Sequence, residues 1–386
     1  MKKIAILTFF KSGNFGGELQ AYALQKKLRV LGYDVEVLHQ LRPNNKAFVK
    51  TNNFLPIINL VDRVSKRNKM NSFISKKISS VAAIIFNKRY RLRNSRFNEF
   101  EHQHINLTKK IFRNFDELYQ EKLDYDIFIV GSDQVWNYTN GFSPEPYFLT
   151  FVKNSAKKIS YAASIGHAII PEQIQEKYIK WFNNIDYIST REEHAEEIVN
   201  ELTDKNAVTV LDPTFLIKKE EWLSYLPTKK SIEAPYLLIY TLVESPYIFK
   251  LAREIAEKKN LKIVRVISQC WTREHPVGVK NIYDAGPIEF VSLFEHASFV
   301  LTNSFHGTAF SINFNIPFFS IPRKTKKNNS RFINILNQTN LSHRLIYDGD
   351  DFPKEENYDL DFSEANLLLD KKRQFSLDFL LTSIEK

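Results

Sequence analysis

The chain has 386 residues, a length that predicts two domains, and its 43% hydrophobic and 13% aromatic residues exclude a globally disordered protein. Its one cysteine, Cys270, excludes an intrachain disulfide, and neither a signal peptide nor a membrane-spanning run of about 20 apolar residues is recognisable. The net charge of +10 arises almost entirely within residues 46–96. We therefore expect a folded cytoplasmic protein that is not an integral membrane protein.

The first part of the chain alternates apolar runs with amphipathic stretches. Residues 3–9 predict a buried strand followed by a glycine-rich loop and a helix, and Gly32 is typical of the end of that helix. Further strands are predicted at 34–38, 126–130, 158–162, 187–189 and 207–211, with helices at 171–182 and 192–202. Strands that are continuous apolar runs between helices indicate a parallel sheet covered on both faces.

The basic segment, residues 46–96, holds 13 Lys and Arg and one acid, Asp62, a net charge of +12 that leaves −2 for the rest of the chain. A nucleic-acid-binding protein usually carries its basic residues on a recognisable module, and since none is recognisable we do not expect a nucleic acid partner. The apolar residues at helical spacing are Ile74, Ile78, Val81 and Ile85, and the flanking basic residues are Lys76, Lys77, Lys88, Arg89, Arg91 and Arg93. This pattern is typical of a helix packed on the protein surface and also of a helix lying on an anionic membrane.

The strand and helix pattern begins again after a polar stretch at 218–234, which we interpret as the connection between two domains. Strands are predicted at 236–242, 261–267 and 298–301, and helices at 246–258, 287–295 and 306–313. A last helix, at 364–384, carries Leu368, Phe375 and Phe379 at helical spacing and is expected to pack on the first domain. The predicted domains are residues 1–217, with a basic helical insertion at 46–110, residues 235–346, and a C-terminal helix at 363–386.

The loop before the first helix contains Asn14, Gly16 and Gly17, and Gln20 follows within the helix. The free N–H groups and the positive dipole end of a helix favour an anion or a sugar in such a loop. The glycine spacing is not that of a dinucleotide site, and Glu18 would repel a phosphate placed directly there. These residues are candidates for substrate binding, and a plain tight turn is the alternative.

Gly131, Ser132 and Asp133 follow the strand that ends at Val130, at the carboxyl edge where open α/β sheets bind ligands. Small and polar side chains at that edge suit a polyhydroxylated substrate. The alternative is structural, with Asp133 as a helix cap and Trp136 as a buried anchor.

Arg191 lies just past the strand predicted at 187–189. A guanidinium at the end of a strand suits the carboxylate or phosphate of a ligand. A salt bridge to Glu192 or its neighbours is the alternative.

His306 joins the strand predicted at 298–301 to the next helix, so we expect it at the carboxyl edge of the second sheet, facing the cleft between the domains. Its ordinary pKa suits proton transfer near neutrality, although lone histidines are more often structural. Neither Cys270 with His275 nor His102 with His104 has the spacing of zinc ligands, and no metal site is predicted.

Taken in order, these motifs resemble the polysaccharide pyruvyl transferase family over residues 3–346. The motifs are GNFGGELQAYALQ, FIVGSDQVWN, SYAASIG, STREEH, VLDPTFLI, TNSFHGTAF and NNSRFINIL. The resemblance implies two Rossmann-like domains with parallel sheets, similar to the GT-B glycosyltransferase fold. It also implies phosphoenolpyruvate as the donor, a sugar hydroxyl pair of a cell-surface polysaccharide precursor as the acceptor, and a cyclic pyruvate ketal as the product, with no bound cofactor.

This chemistry requires a proton donor and cationic groups. On the resemblance we assign proton transfer to His306 and the carboxylate or phosphate of the donor to Arg191. Further positive charge is assigned to Arg331 together with Arg323 or Lys324.

One departure from the family pattern affects the donor. Many members carry an Arg two positions before the histidine, where this chain has Ser304. Either another cation, with Arg331 nearest in the motif order, replaces that contact, or the donor is not phosphoenolpyruvate.

Two other functions fit parts of the sequence. A GT-B-like glycosyltransferase that uses a nucleotide sugar has the same predicted fold, because a fold does not determine an activity. A non-catalytic scaffold in glycan assembly would instead use the basic segment on an anionic membrane surface. A lipid-diphosphate-linked acceptor would bring the protein to the inner face of the cell membrane.

Overall fold

A computed structural model of the protein describes residues 1–386 apart from 12, 44, 58–79, 154, 227–228, 231, 234, 268–274 and 325–328, and it describes 80–87 without their side chains. Within those ranges the chain forms two parallel β-sheets with α-helices around them. The predicted α/β fold with two parallel sheets is confirmed.

The first sheet has the strand order β3-β2-β1-β4-β5-β6-β7. Its strands are β1 (Lys3–Leu7), β2 (Asp34–Gln40), β3 (Leu107–Phe112), β4 (Ile127–Val130), β5 (Lys157–Ala163), β6 (Tyr187–Thr190) and β7 (Val208–Thr209). Along β1, Ile4 and Ile6 belong to one hydrophobic cluster, whereas Ala5 and Leu7 belong to another. Both faces of the sheet are therefore buried, as the continuous apolar run predicts.

The second sheet has the order β10-β9-β8-β11-β12. Its strands are β8 (Tyr236–Thr241), β9 (Lys262–Ile267), β10 (Val279–Ile282), β11 (Phe299–Thr302) and β12 (Phe318–Ser320). Strand order reverses between β1 and β4 in the first sheet and between β8 and β11 in the second. In open parallel sheets, ligands bind beyond the carboxyl ends of the strands at such points of reversal.

The helices predicted at 171–182, 192–202, 246–258, 287–295, 306–313 and 364–384 begin and end within one residue of observed helices, whereas the helices at Asp116–Gln120, Lys219–Tyr225 and Ser330–Gln338 are not predicted from the sequence. The described helices are α1 (Phe15–Val30), α2 (Ser80–His104), α3 (Asp116–Gln120), α4 (Glu172–Asn183), α5 (Glu193–Leu202), α6 (Lys219–Tyr225), α7 (Pro246–Lys258), α8 (Pro287–Glu295), α9 (Phe305–Asn313), α10 (Ser330–Gln338) and α11 (Ser363–Glu385). Short 3-10 turns lie at Glu145–Phe148, Pro213–Phe215, Ser342–Arg344 and Glu355–Asn357. Caps account for several starts: Ser245 accepts a hydrogen bond from the Ile248 N–H at 3.4 Å, with Pro246 in the first turn of α7.

The segment 218–234, predicted as a polar connection, contains helix α6. Trp222 of α6 is fully buried and donates a hydrogen bond to the Thr214 carbonyl at 3.1 Å. Its ring lies 5.7 Å from that of Tyr22 in the first half and 5.4 Å from that of Phe310 in the second. The connection therefore contributes an aromatic side chain to the core that the two sheets share.

The structure describes only part of the basic segment. Ile74, Ile78, Lys76 and Lys77 lie outside the described residues, as do the side chains of Val81 and Ile85. Lys88 and Arg91 of α2 are exposed, and the exposed guanidinium of Arg89 lies 4.2 Å from the ring centre of Tyr283.

The expectation that Arg93 belongs to an outward basic surface is wrong. Arg93 is 3% exposed and donates hydrogen bonds to backbone carbonyls, while Phe97 and Phe100 of the same helix are buried in the core. The C-terminal half of α2 thus packs on the protein. The end of the predicted insertion at residue 110 also differs, because β3 begins at Leu107 and pairs with β2. No helix in the described part of the chain is long and apolar enough to span a membrane.

Helix α11 packs on the core by a face only partly the predicted one: Phe379 is partly buried against the core as expected, but the most buried positions are not those predicted. Leu369 and Leu380 are buried, whereas Phe375 is 48% exposed. The Ser376 hydroxyl oxygen accepts a hydrogen bond from the Leu211 N–H at 3.0 Å. The apolar run around residue 368 allows two helical stripes one residue apart, and the polar contact of Ser376 belongs to the buried one.

We expect Leu369→Ala to reduce the free energy of unfolding by about 2–5 kcal/mol, because it leaves a cavity under α11. Phe375→Ala, a larger truncation on the exposed face of the same helix, should change it by no more than about 0.5 kcal/mol. The urea midpoints of the two variants and the unaltered protein measure both effects. A greater loss for Phe375→Ala would contradict the observed face of α11.

Candidate active site between the two sheets

A cleft lies between the carboxyl edges of the two sheets. Asn14 and Asp133 line it from the loops after β1 and β4, and Val243 and His306 line it from the segments after β8 and β11. The cleft thus lies where the strand order of both sheets reverses, and each sheet contributes one wall.

The loop before α1 is shaped by contacts within the protein. Asn14 caps α1 by accepting a hydrogen bond from the Gly16 N–H at 3.1 Å. A Cβ at Gly16 would lie 2.0 Å from Nδ1 of His306, so only glycine allows the histidine of the second half to lie there. Gly17 and Gln20 are fully buried, and Gln20 donates hydrogen bonds to the backbone of the loop. Of the four predicted substrate contacts in this loop, Asn14 lines the cleft and Gly16 contacts His306, whereas Gly17 and Gln20 support the loop.

The loop after β4 divides its predicted site residues in the same way. Gly131 approaches strand β1 so closely that a Cβ would lie 2.8 Å from that of Thr8. Ser132 is fully buried, and Asp133, with φ of +75°, is the member of this group that lines the cleft. No described helix begins at Asp133, but the structural alternative for Trp136 is correct, since its buried ring stacks on that of Phe148 at 4.9 Å.

Arg191 lies at the end of β6 and is 3% exposed. It donates hydrogen bonds to Glu192 at 3.1 Å and to Asp212 at 3.0 Å, so the salt-bridge alternative describes part of its environment. Its Nη2 is buried without a hydrogen-bond partner in the described structure and lies 3.8 Å from a carboxylate oxygen of Asp133. Burial opposes the charge of Arg191, but Glu192, Asp212 and Asp133 together raise its pKa.

Asp212 is a buried carboxylate that the sequence analysis does not include among the site residues. One oxygen accepts hydrogen bonds from the Ser132 hydroxyl at 2.9 Å and from Arg191, and the other accepts two from Thr214. Burial would raise the pKa of Asp212, but the nearby His306 and Arg191 and the Thr214 hydrogen bonds lower it. The sequence signal for Asp212 lies in the motif VLDPTFLI, where an Asp before Pro and Thr is typical of a capped turn.

His306, in the first turn of α9, is 6% exposed and belongs to the cleft wall. Its Nε2 lies 3.8 Å from Asp212 and has no hydrogen-bond partner among the described residues. Burial lowers the pKa of His306, while the carboxylates of Asp212 and Asp133 act in the opposite direction. The pKa of His306 thus lies below the ordinary histidine value, and the imidazole is mainly neutral at pH 7.

Arg331, in the first turn of α10, supplies a second guanidinium to the cleft. It lies 6.0 Å from the ring centre of Phe305, and Arg191 lies 4.6 Å from the same ring. Nε of Arg331 is buried without a hydrogen-bond partner, and no ion pair joins this side chain to the described residues. Burial lowers the pKa of Arg331, and the charge of Arg191 adds to that effect.

The remaining predicted residues fall into two groups. Ser304 and Arg323 line the cleft, and Arg323 donates a hydrogen bond to the Glu244 carbonyl at 2.9 Å. Lys324 is exposed and forms an ion pair with Asp350 at 2.6 Å. Of the two predicted alternatives, Arg323 and Lys324, it is therefore Arg323 that lies at the site. Among the residues whose positions are described, no three His, Cys, Asp or Glu side chains are arranged to hold a metal ion.

Solved structures with the same architecture match nearly the whole chain. One is Arabidopsis thaliana UGT89C1 complexed with UDP-L-rhamnose, with 13% identity, a TM-score of 0.50, and coverage of 98% of this chain and 94% of that chain. Another is UDP-GlcNAc 2-epimerase from Methanocaldococcus jannaschii in complex with UDP-GlcNAc and UDP, with 14% identity, a TM-score of 0.47, and coverage of 97% and 94%. At 13% identity the likeness to UGT89C1 shows the fold alone, which is of the predicted GT-B type.

A search of curated protein sequences found no match. The sequence profile for polysaccharide pyruvyl transferase matches residues 14–325, most of the chain, including every candidate site residue except Arg331. The resemblance drawn from the motifs is confirmed, and the chain belongs to the polysaccharide pyruvyl transferase family.

Proposed function

We propose that this protein transfers pyruvate from phosphoenolpyruvate to two hydroxyl groups of one sugar in a polysaccharide precursor, forming a cyclic ketal and releasing inorganic phosphate. The observation that carries the proposal is a set of three buried nitrogen atoms without hydrogen-bond partners in the described structure. They are Nη2 of Arg191, Nε of Arg331 and Nε2 of His306. His306 and Arg331 line the cleft, and Arg191 lies directly behind it against Asp133 and Phe305, which also line it. Buried polar groups are usually satisfied, so unsatisfied donors in and behind one cleft wall support an anionic ligand there.

Two guanidiniums suit a donor that carries both a carboxylate and a phosphate. Arg191 and Arg331 lie near the same ring, that of Phe305, and both retain unused donors. We assign one anionic group of the donor to each arginine, with Arg323 at the rim adding positive charge. In this scheme Arg331 provides the cation that Ser304 does not.

His306 is assigned the proton that goes to the methylene carbon of the donor. Burial keeps the imidazole mainly neutral at pH 7, but a bound donor adds negative charge beside it and so raises its pKa. Asp212, 3.8 Å away, favours the protonated form in the same direction. The donor thus promotes the protonation that its own reaction requires.

The remaining steps balance without a cofactor. Protonation of the methylene carbon by His306 leaves a cationic centre at C2, which the first sugar hydroxyl attacks, and the proton of that hydroxyl restores the protonated His306. The C2–O bond to phosphate then breaks, the second hydroxyl closes the ketal, and its proton leaves with the phosphate. Asp133 and Asn14 line the wall opposite α9, and we assign the acceptor sugar to their side of the cleft.

The direct test is incubation with phosphoenolpyruvate and a panel of lipid-diphosphate-linked and soluble sugars. The expected result is release of inorganic phosphate together with a gain in acceptor mass equal to pyruvic acid minus one water. UDP-sugars serve as alternative donors. Transfer from a UDP-sugar without reaction of phosphoenolpyruvate would replace this proposal by the glycosyltransferase alternative.

His306→Gln should reduce kcat by about 100- to 10,000-fold, the usual contribution of a general acid or base. His343→Ala, which truncates an exposed histidine outside the cleft, is the matched control and should retain full activity. Initial rates of phosphate release at saturating donor measure both. Equal activity of correctly folded His306→Gln and the unaltered protein would remove the assignment.

Lysine in place of either cleft arginine should lower kcat/KM for the donor by about tenfold or more, since an ammonium cannot reproduce a planar fork of donors. Arg191→Lys should also lower thermal stability, because the ion pair with Asp212 is buried, whereas Arg331→Lys should leave it nearly unchanged. Steady-state kinetics and melting temperatures separate the two effects. Full activity of Arg331→Lys would exclude a two-pronged contact by Arg331.

The pH profiles of kcat/KM and of kcat should decline at two different alkaline pH values. In the free protein, burial lowers the pKa of His306, so the protonated imidazole is lost, and kcat/KM falls, at a lower pH than in the complex with the donor. In the complex, the donor raises that pKa, so kcat declines only at a higher pH. Because ionisation of the donor is the same for every variant, His306→Gln is the control and should show no such separation. A decline of both profiles at the same pH in the unaltered enzyme would argue against a donor-induced protonation.

A further inference from the structure

Three buried residues of α2 occupy one face of this helix at four-residue intervals. They are Arg93, Phe97 and Glu101, each 3–4% exposed. Residues four apart in a helix are neighbours on its surface, so the three form a continuous stripe. Each contacts the segment 11–15, called here the first loop, whose residue 12 is outside the described residues.

Arg93 joins the first loop to the second sheet. Its Nη2 donates a hydrogen bond to the Gly13 carbonyl at 2.8 Å, and its Nη1 donates to the carbonyls of Ile267 and Ala285 at 3.3 and 3.2 Å. The guanidinium also lies 4.5 Å from the ring centre of Phe15. One side chain therefore fixes the distance between Gly13 of the first half and two backbone positions of the second.

The other two members of the stripe hold the rest of the loop. The ring of Phe97 lies 5.4 Å from that of Phe15, which stacks at 4.5 Å on Phe290 of α8. The carboxylate of Glu101 pairs with Lys11 at 3.2 Å. Lys11 has a φ of +59°, a conformation that few residues other than glycine adopt, so its side-chain contacts help to hold the loop in this shape.

The first loop leads directly to the catalytic assignments. Asn14 lines the cleft and caps α1, and the next turn places Gly16 against the imidazole of His306. Because no atom fits between Gly16 and that ring, a shift of the loop changes the space and the water around His306.

We propose that Arg93 is a positioning residue, which holds the first loop against His306 and so sets the geometry of the proton-transfer step. The kinetic part of this inference rests on the proposed function. Arg93 does not line the cleft and touches no reacting group in the proposed mechanism. The basic helix thereby contributes to the reaction through a residue that faces inward.

Arg93→Lys tests the inference, because lysine retains the charge but cannot span three carbonyls in fixed directions. We expect kcat to fall by about 10- to 100-fold, since small misplacements of reacting groups have effects of that size, while the donor KM changes by less than about threefold. Arg91→Lys, an exposed position on the same helix, is the matched control and should behave as the unaltered protein. Glu101→Gln, at the other end of the stripe, should also lower kcat. It replaces Arg93→Lys as the test variant if Arg93→Lys does not fold.

A second readout is independent of turnover. The titration of His306, followed by NMR of histidine-labelled protein and assigned by comparison with His306→Gln, should move upward in Arg93→Lys towards the ordinary value of 6.5 as water enters. The charged groups that face this imidazole, namely Asp212, Asp133, Arg191 and Arg331, are unchanged by the substitution.

The two readouts also distinguish the two proposals. If the unaltered protein transfers no pyruvate, the proposed function fails, and the NMR titration alone decides the role of Arg93. A folded Arg93→Lys with unaltered kcat and an unaltered His306 titration would overturn the inference. An equal loss of activity in Arg91→Lys would do the same, because the effect would then not depend on the buried contact of Arg93.

Discussion

The carboxylate of Asp212 is the buried negative charge that pairs with the guanidinium of Arg191 and lies beside the imidazole of His306. It is fully enclosed, accepts hydrogen bonds from Ser132, Arg191 and Thr214, and lies 3.8 Å from His306. A buried guanidinium beside a buried imidazole would be unfavourable without such a partner, because both would lose hydration with nothing in return. The turn after β7 therefore determines whether the ends of β4 and β6 and the start of α9 can meet.

Close approach between backbone and side chain is the second constraint, and it explains the glycines of the motifs. Gly16 makes space for His306, Gly131 for Thr8, and Gly307 for Thr302, with hypothetical Cβ atoms 2.0–2.8 Å from those partners. From sequence alone, glycines in a loop at a sheet edge suggest room for a ligand. In this fold they admit other parts of the protein, and the ligand-facing positions next to them are Asn14 and Asp133.

Strands buried on both faces could be located from sequence because their apolar runs have few interruptions. The strands that the sequence analysis omits, β3, β10 and β12, lie at sheet edges. In β3 and β10 polar residues interrupt the pattern, and β12 has only three residues. At the site, Arg191, Asp133 and His306 could be proposed because each follows a predicted strand. The pairing of Asp212 with Arg191 across 21 residues, and the inward turn of Arg93, depend on tertiary packing that no local pattern contains.

The contacts that cross between the two sheets limit how independent the halves are. Phe15 against Phe290, Arg93 bound to the carbonyls of Ile267 and Ala285, and Gly16 against His306 each require a shape on one side that the other side complements. A chimaera that joined the first sheet of this chain to the second sheet of a relative would lose the packing between the two sheets unless all three matches were kept. The two-sheet architecture is modular in topology, but its reaction centre is inherited as a single unit.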